Sequence, residues 1–458
     1  MNPQKIGRQL HAISRITLAV LLIVVIVAAV GGVVFVLRYN AGTPKTTSTP
    51  VTANTAAVPN LGNETWQFEG NSLHVYNYGW NGTIATFNTT VGGAVICPPT
   101  FYDGVLLVDL SNMTGMTPTG GVVAINTTNG QTVWTATVPN LMMTQPITYE
   151  GLVIIGLGNA DFQNTTPQVR GNGTNYVAAL NFSTGQVVWT FPTQGEDMPT
   201  PLIYNGLVIG ANGNGMVYAL NPLTGQEAWN VPLPSGSMVS MSSPALLGDS
   251  IFFGTTQEAA PGGAWTHSFF SVNLTDHQIS WSTSLPAYGG VDDCSPAIWN
   301  DIVTTGYVVE ASNGLQPILI GMNTTNGKIL WQVDEPAGPE PGGEWFVPVT
   351  VWNGIVYSDS PEGGTLYAVN ASSGTQLWAF STGKDTSNVN VFDGNLWIVN
   401  SAGTLSILNP TTGTLLKSTN VGVPIGDGSV DFVEQSAIMW GMNGLVTCTP
   451  LSNIYPSN

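Results

Sequence analysis

The chain has 458 residues, of which only 8% are charged: 9 Lys and Arg stand against 27 Asp and Glu, a formal net charge of −18. A phosphate backbone needs cationic partners, so this balance excludes a nucleic-acid ligand. It also suits strong acid, where Asp and Glu lose their charge and few Lys and Arg remain to repel one another. The plainer reading of the same numbers is a secreted β-protein that is merely poor in lysine.

Residues 1–15 carry Lys5, Arg8 and Arg15 and read as a cytoplasmic basic segment. Residues 16–37 are 22 consecutive uncharged residues rich in Val, Ile, Leu and Ala, long enough to cross a bilayer as one helix. The cations before them outnumber Arg38 after them, which leaves the N-terminus inside and the bulk of the chain outside. Cleavage as a signal peptide is an open alternative. So is processing between Ala12 and Ile13, because His11-Ala-Ile-Ser before the apolar run resembles the pilin-type signals of archaeal surface proteins. Residues 38–58 are rich in Thr, Ala and Pro and read as an extended stalk, open to O-glycosylation. Beyond it lie eleven Asn-x-Ser/Thr sequons, at Asn63, Asn81, Asn88, Asn112, Asn126, Asn164, Asn172, Asn181, Asn273, Asn323 and Asn370. The expectation is a single-pass protein of the cell membrane with a glycosylated extracellular face, or a secreted one after processing.

Residues 59–458 are organised by a repeat. A Gly, or a substitute for it, precedes a Trp position by four residues in Gly62–Trp66, Gly130–Trp134, Gly185–Trp189, Gly225–Trp229, His277–Trp281, Gly327–Trp331, Gly374–Trp378 and Gly413–Lys417. Seven of these Trp positions follow an Asn by eight residues: Asn126, Asn181, Asn221, Asn273, Asn323, Asn370 and Asn409. Turn signals such as Phe101-Tyr-Asp-Gly104, Ile203-Tyr-Asn-Gly206 and Val351-Trp-Asn-Gly354 separate short apolar runs, as antiparallel strands require. A strand-rich period of roughly 40–55 residues predicts a closed radial array in which each unit buries its apolar face against its neighbours. The fold class is therefore all-β, an eight-bladed β-propeller of four-stranded antiparallel blades behind one N-terminal transmembrane helix.

The ends of the repeat set the count. Eight copies of the inner-strand element recur, and the last leaves room for only one further strand, Gly444 to Thr449. Gly62-Asn-Glu-Thr-Trp66 is expected to supply the missing outer strand and close the ring, so that no blade edge is left free. A seven-bladed ring is the competitor, because residues 69–92 form an irregular insertion.

Units of the form Ala-Leu-Asn-x-x-Thr-Gly-x-x-x-Trp resemble the repeats of pyrroloquinoline-quinone (PQQ)-type propellers over about residues 60–450. That family includes quinoprotein alcohol dehydrogenases, the outer-membrane assembly scaffold BamB and the tetrathionate hydrolases of acidophiles. The resemblance implies the fold and leaves the function open.

In such a ring the connectors from each outer strand to the next inner strand converge on the central channel. Alignment of the copies puts Cys97, Met143, Gln145, Glu196, Asp197, Ser240, Met241, Asp292, Asp293, Cys294, Glu344, Trp345, Asn388 and Asp427 there. In acid only Asp and Glu can titrate near the working pH, and two adjacent carboxyls can hold different protonation states. Asp293, assisted by Asp292, is thus the candidate acid/base, with Tyr288, Cys294, Glu196, Asp197, Glu344 and Trp345 as candidate substrate contacts. The four histidines have no Cys or carboxylate at ligand spacing, so no metal site is expected, and they read as ordinary polar residues. Cys97 and Cys294 hold equivalent places in opposite blades, too far apart for a disulfide, and Cys448 reads as a buried small residue.

Three functions follow from the resemblance. A tetrathionate hydrolase, without cofactor and acting on a small anionic sulfur substrate outside the cell, agrees best with the acid composition and the carboxyl pair. Backbone N–H groups at the channel mouth would then hold the sulfonates. A quinoprotein dehydrogenase would need PQQ and Ca²⁺, the latter held by the acidic mouth. A BamB-like scaffold or binding propeller would need neither turnover nor cofactor. A homodimer is left open as the assembly.

Overall fold

The computed structural model describes residues 64–69, 72–77, 83–112, 119–158, 174–258, 265–312, 314–336, 349–360, 364–383, 389–421 and 429–455. The expected membrane segment 16–37 and stalk 38–58 lie outside them, as do Asn63, Asn81, Asn164, Asn172, Glu344, Trp345, Asn388 and Asp427. No helix among the described residues is long and apolar enough to cross a membrane.

Eight antiparallel sheets form the blades of a propeller, and in seven of them the four main strands follow one another along the chain. Blade 1 begins with Thr100–Tyr102 and ends with the outer strand Thr132–Val138; blade 8 begins with Val430–Val433. Blade 4 carries an extra short strand, Ser237–Met238. The first two strands of a blade are joined by tight turns whose residues have positive φ, such as Asp103 (45°) and Gly104 (77°), or Asn205 (48°) and Gly206 (75°). This is the mirror-image turn that matches the twist of a hairpin and explains the Asp-Gly and Asn-Gly signals. Apolar clusters lie between neighbouring blades: Leu202, Ile209 and Val231 of blade 3 pack on Leu246, Phe253 and Phe270 of blade 4, for example. Stability therefore comes from blade-on-blade burial, repeated around the ring.

The spacing of Gly and Trp has a physical cause that crosses from one blade to the next. Each Trp ring covers the glycine turn of the following blade: a Cβ on Gly185 would fall 2.5 Å from Trp134, one on Gly225 2.5 Å from Trp189, and one on Gly413 2.6 Å from Trp378. The indole N–H then donates into the same turn, from Trp134 to Phe182 O (2.8 Å), Trp189 to Pro222 O (2.8 Å) and Trp331 to Ala371 O (2.9 Å). The two irregular copies obey this rule. His277 takes the glycine place at φ 58° and stacks its ring on Trp229, with centroids 4.3 Å apart. Lys417 stands where a Trp would cover a turn opening the outer strand of blade 8, but no glycine precedes that strand at the repeat spacing.

That outer strand is not the expected one. Phe87–Thr90 pairs with Leu445–Pro450 and completes blade 8, placing Phe87 opposite Cys448. Glu64–Glu69, which contains Trp66, instead pairs with Ser72–Asn77 in a separate two-stranded sheet. The reason is again the glycine turn: the Gly130 turn of blade 1 is covered by Phe87, whose Cβ lies 2.4 Å from where a Gly130 Cβ would stand. A phenyl ring does the work of the eighth indole. The ring closes at eight, but from within the segment 69–92 that resembled an insertion.

The repeat asparagines are turn residues. Asn181 Oδ1 accepts the N–H groups of Ser183 and Thr184, both at 3.0 Å, and Asn126 Oδ1 accepts that of Thr128 at 2.8 Å. Five of the eleven sequons, at Asn126, Asn181, Asn273, Asn323 and Asn370, coincide with these turns. The fold thus has its own use for Asn and Ser/Thr at these places.

Candidate active site

The connectors that converge on the axis are laced to one another by hydroxyl groups. At the position just before the inner-strand proline, the Gln145 N–H donates to Thr200 Oγ1, the Thr200 N–H to Ser243 Oγ, and the Ser243 N–H to Ser295 Oγ, each at 3.0 Å. Blades 2 to 5 are thereby held at fixed spacing around the channel.

Asp292 and Asp293 sit in a turn fixed by both flanking blades. The Asp293 and Cys294 N–H groups donate to Gly290 O at 3.3 and 3.0 Å, and Gly290 takes φ 83°, a conformation open to glycine. Asp292 O accepts from the Met241 and Ser242 N–H groups of blade 4 at 2.8 and 2.7 Å. Gly289 bridges to Val308 of blade 5. Gly254 leaves room for the turn, since a Cβ there would fall 1.7 Å from Val291 O. Both carboxyl side chains are nearly buried, at 8% and 7% exposure, while Tyr288 beside them is 45% exposed.

The other predicted contacts divide. Cys294 is fully buried and turns into the core, where its Sγ accepts the Gly306 N–H at 3.3 Å and burial pushes its thiol up to about 11. It does not line the channel. Cys97, Cys294 and Cys448 are all free and buried. Glu196 and Asp197 are also inside, between blades 2 and 3, so neither presents its carboxyl at a mouth. The Cβ of Glu196 lies 2.3 Å from where a Gly158 Cβ would stand, and its carboxyl 2.2 Å from where a Gly213 Cβ would. Asp197 accepts from Thr193 Oγ1 and from the Tyr218 hydroxyl at 2.9 Å.

At the axis itself, Ile96 and Cys97 of blade 1, Leu141 and Met143 of blade 2, Met198 of blade 3 and Met241 of blade 4 form one buried apolar cluster. Met143, Met198 and Met241 hold the place that Asp293 takes in blade 5, three residues before the inner-strand proline. The Asp293 carboxyl thus stands at a position that is apolar in blades 1 to 4.

The family model described as outer membrane protein assembly factor BamB matches residues 52–290 and 311–443. The chain belongs to this PQQ-type propeller family. Curated relatives are named tetrathionate hydrolase: one from Acidithiobacillus ferrooxidans is 25% identical over 381 residues, covering 78% of this chain and 72% of the relative. One from Acidianus ambivalens is 28% identical over 371 residues, covering 74% and 68%. Among solved structures, BamB from Moraxella catarrhalis aligns with a TM-score of 0.54 at 16% identity, over 80% of this chain and all of that one. Quinohemoprotein alcohol dehydrogenase from Comamonas testosteroni aligns with a TM-score of 0.56 at 14% identity, over 81% and 76%. These structural likenesses show the shared fold.

This PQQ-type propeller also buries five carboxyls, of which only Asp197 stood among the residues that the repeat register singled out. Asp109 is buried and accepts the N–H groups of Ile96 and Cys97 at 3.0 Å; burial nevertheless raises it to about 8. Asp359 takes the same strand position in blade 6 and is raised by burial and by Glu335 next to it. Burial raises Glu335 to about 8, Asp197 to about 7 and Asp431 to about 7, the last despite a 3.0 Å hydrogen bond from Trp440 Nε1. The described cations, Lys328 and Lys417, lie in an outer turn and an outer strand and pair with none of these groups. All five carboxyls favour the neutral, protonated form.

Proposed function

We propose that this protein is an extracellular, acid-active hydrolase of a sulfur oxyanion, like the tetrathionate hydrolases, held at the membrane by residues 16–37. The observation that carries the reading is the similarity to two proteins of that name over about three quarters of the chain. Five carboxyls that burial pushes towards the protonated form fit an acidic working medium. In the reaction, water attacks a divalent sulfur of ⁻O₃S–S–S–SO₃⁻, the central S–S bond breaks, and thiosulfate leaves with the electron pair. Asp293, assisted by Asp292, manages the two protons involved: one leaves the attacking water and one arrives on the departing sulfur. Tyr288, exposed beside the pair, is the substrate contact in this reading.

The quinone alternative has less support in these residues. The axial positions of blades 1 to 4 are filled by Ile96, Met143, Met198 and Met241, where a planar cofactor would need space. A BamB-like scaffold role would leave the carboxyl pair unused. Thiosulfate release from tetrathionate by the purified protein in acid, with no quinone band in its absorbance spectrum, is the expected result. A quinone band with no thiosulfate release would overturn the reading.

A further inference from the structure

Four consecutive blades around the ring, 6, 7, 8 and 1, carry a hydrogen-bonding side chain at the same place. It lies three residues before the positive-φ residue of the first turn: Thr350 before Asn353, Asn390 before Asp393, Asp431 before Glu434 and Thr100 before Asp103. In three of the four this side chain donates to the next blade. Thr350 Oγ1 donates to Val389 O at 2.7 Å, Asn390 Nδ2 to Val430 O, and Thr100 Oγ1 to Pro146 O at 2.5 Å. Each acceptor stands four residues before the positive-φ residue of its own blade, Asp393, Glu434 and Glu150.

The same rule directs Asp431 at Pro99 O, four residues before Asp103. The two segments meet: Pro99, Thr100 and Phe101 of blade 1 and Asp431, Phe432 and Val433 of blade 8 line one small cavity. This seam closes the ring, since the outer strand of blade 8 comes from the start of the propeller and its other strands from the end.

A hydroxyl or an amide has a hydrogen to give, and a carboxylate has none. Asp431 can join the series only as the carboxylic acid. Its Oδ2 accepts the Trp440 indole N–H at 3.0 Å, which leaves Oδ1 for the proton. Burial favours that neutral form and raises Asp431 to about 7, against the pull of the Trp440 hydrogen bond. Its strand packs on Ser436–Trp440 of the same blade and on Asn390–Phe392 and Asn395–Val399 of blade 7, none of which holds a titratable group. The strand Ser72–Asn77, also packed there, includes His74; the turn at the strand's end includes Glu434, and Pro99–Tyr102 includes the phenol of Tyr102.

We propose that protonated Asp431 donates through Oδ1 to Pro99 O and latches blade 8 to blade 1, so that the ring is held more firmly in acid. The latch does not depend on the reaction proposed above. An acid with a raised folded-state value binds its proton more tightly folded than unfolded. The contribution is therefore complete below 3.8, the ordinary value, and is lost as pH climbs from there through about 7. A carboxylate accepting from the side chain of Gln145, which lines the same cavity, would instead have its proton affinity lowered.

Two measurements on the full chain test this. The Trp440 indole N–H, bonded to the Asp431 carboxyl, reports its titration by NMR. The resonance should shift with a midpoint near 7, and a midpoint at the ordinary carboxyl value of about 4 would overturn the proposal. The second separates donation from burial alone, by melting in acid of Asp431→Asn and Asp431→Leu, both made in Trp440→Phe so that no variant strands the indole. Asn donates at this place in blade 7, so Asp431→Asn should melt with its parent and Asp431→Leu a few degrees below. A Leu variant as stable as its parent in acid would refute the latch. If the Trp440→Phe parent does not fold, the titration in the wild-type protein decides.

Discussion

Replacement of Glu335 by Gln tests whether the buried carboxyls adapt this fold to acid. Glu335, at the end of blade 5, and Asp359, in blade 6, are each 2% exposed. Burial raises Glu335 from 4.5 to about 8, with Ser358 offsetting this only in part. An acid with a raised folded-state value binds more protons folded than unfolded. Its contribution is therefore complete below about pH 4.5 and is lost as pH climbs towards 8. At ~1.4 kcal/mol per pH unit, that span sets a ceiling on the order of 5 kcal/mol of stability lost across it. Gln has the same shape and no charge to bury, and it also removes the charge that raises Asp359. Thermal unfolding from acid to slightly alkaline pH should show wild type and variant within ~1 kcal/mol below the carboxyl range. At neutral pH the variant should be the more stable of the two. Parallel curves across the whole range would refute the reasoning.

Other expectations concern the ring. Gly225→Ala puts a methyl group 2.5 Å from Trp189 at φ 70° and should cost about 1–3 kcal/mol in denaturant unfolding, more than Gly151→Ala, where no atom lies within 4 Å. Removal of the chain through Asn77 should leave the propeller folded. Removal through Thr90 takes the closing strand and should cost on the order of 3 kcal/mol or more, read from the melting temperature. Ser243→Ala deletes the acceptor of the Thr200 N–H and the link between blades 3 and 4, with an expected loss of about 1–3 kcal/mol.

The repeat was legible because its glycines and tryptophans are coupled by contact across blades, which imposes fixed spacing on the chain. The closing strand was not, because Phe87 stands where the repeat elsewhere has Trp. The place of Asp292 and Asp293 followed from register, since the connectors are short and equivalent in each blade. Whether a connector side chain faces the channel or the core is decided by its neighbours, which register alone does not give. Cys294 turns inward to the Gly306 N–H, and Asp197 is taken by Thr193 and Tyr218. Glu335 and Asp359 meet only because adjacent blades bring them together.

The most direct test of the account is the rate of thiosulfate release from tetrathionate at about pH 3, below the ordinary carboxyl range, by the wild-type protein and by Asp293→Asn. Loss of a general acid typically costs 10²–10⁴-fold, so a fall of at least ~100-fold in kcat with unchanged folding is expected. Full activity in the variant would contradict the assignment of the chemistry to this turn.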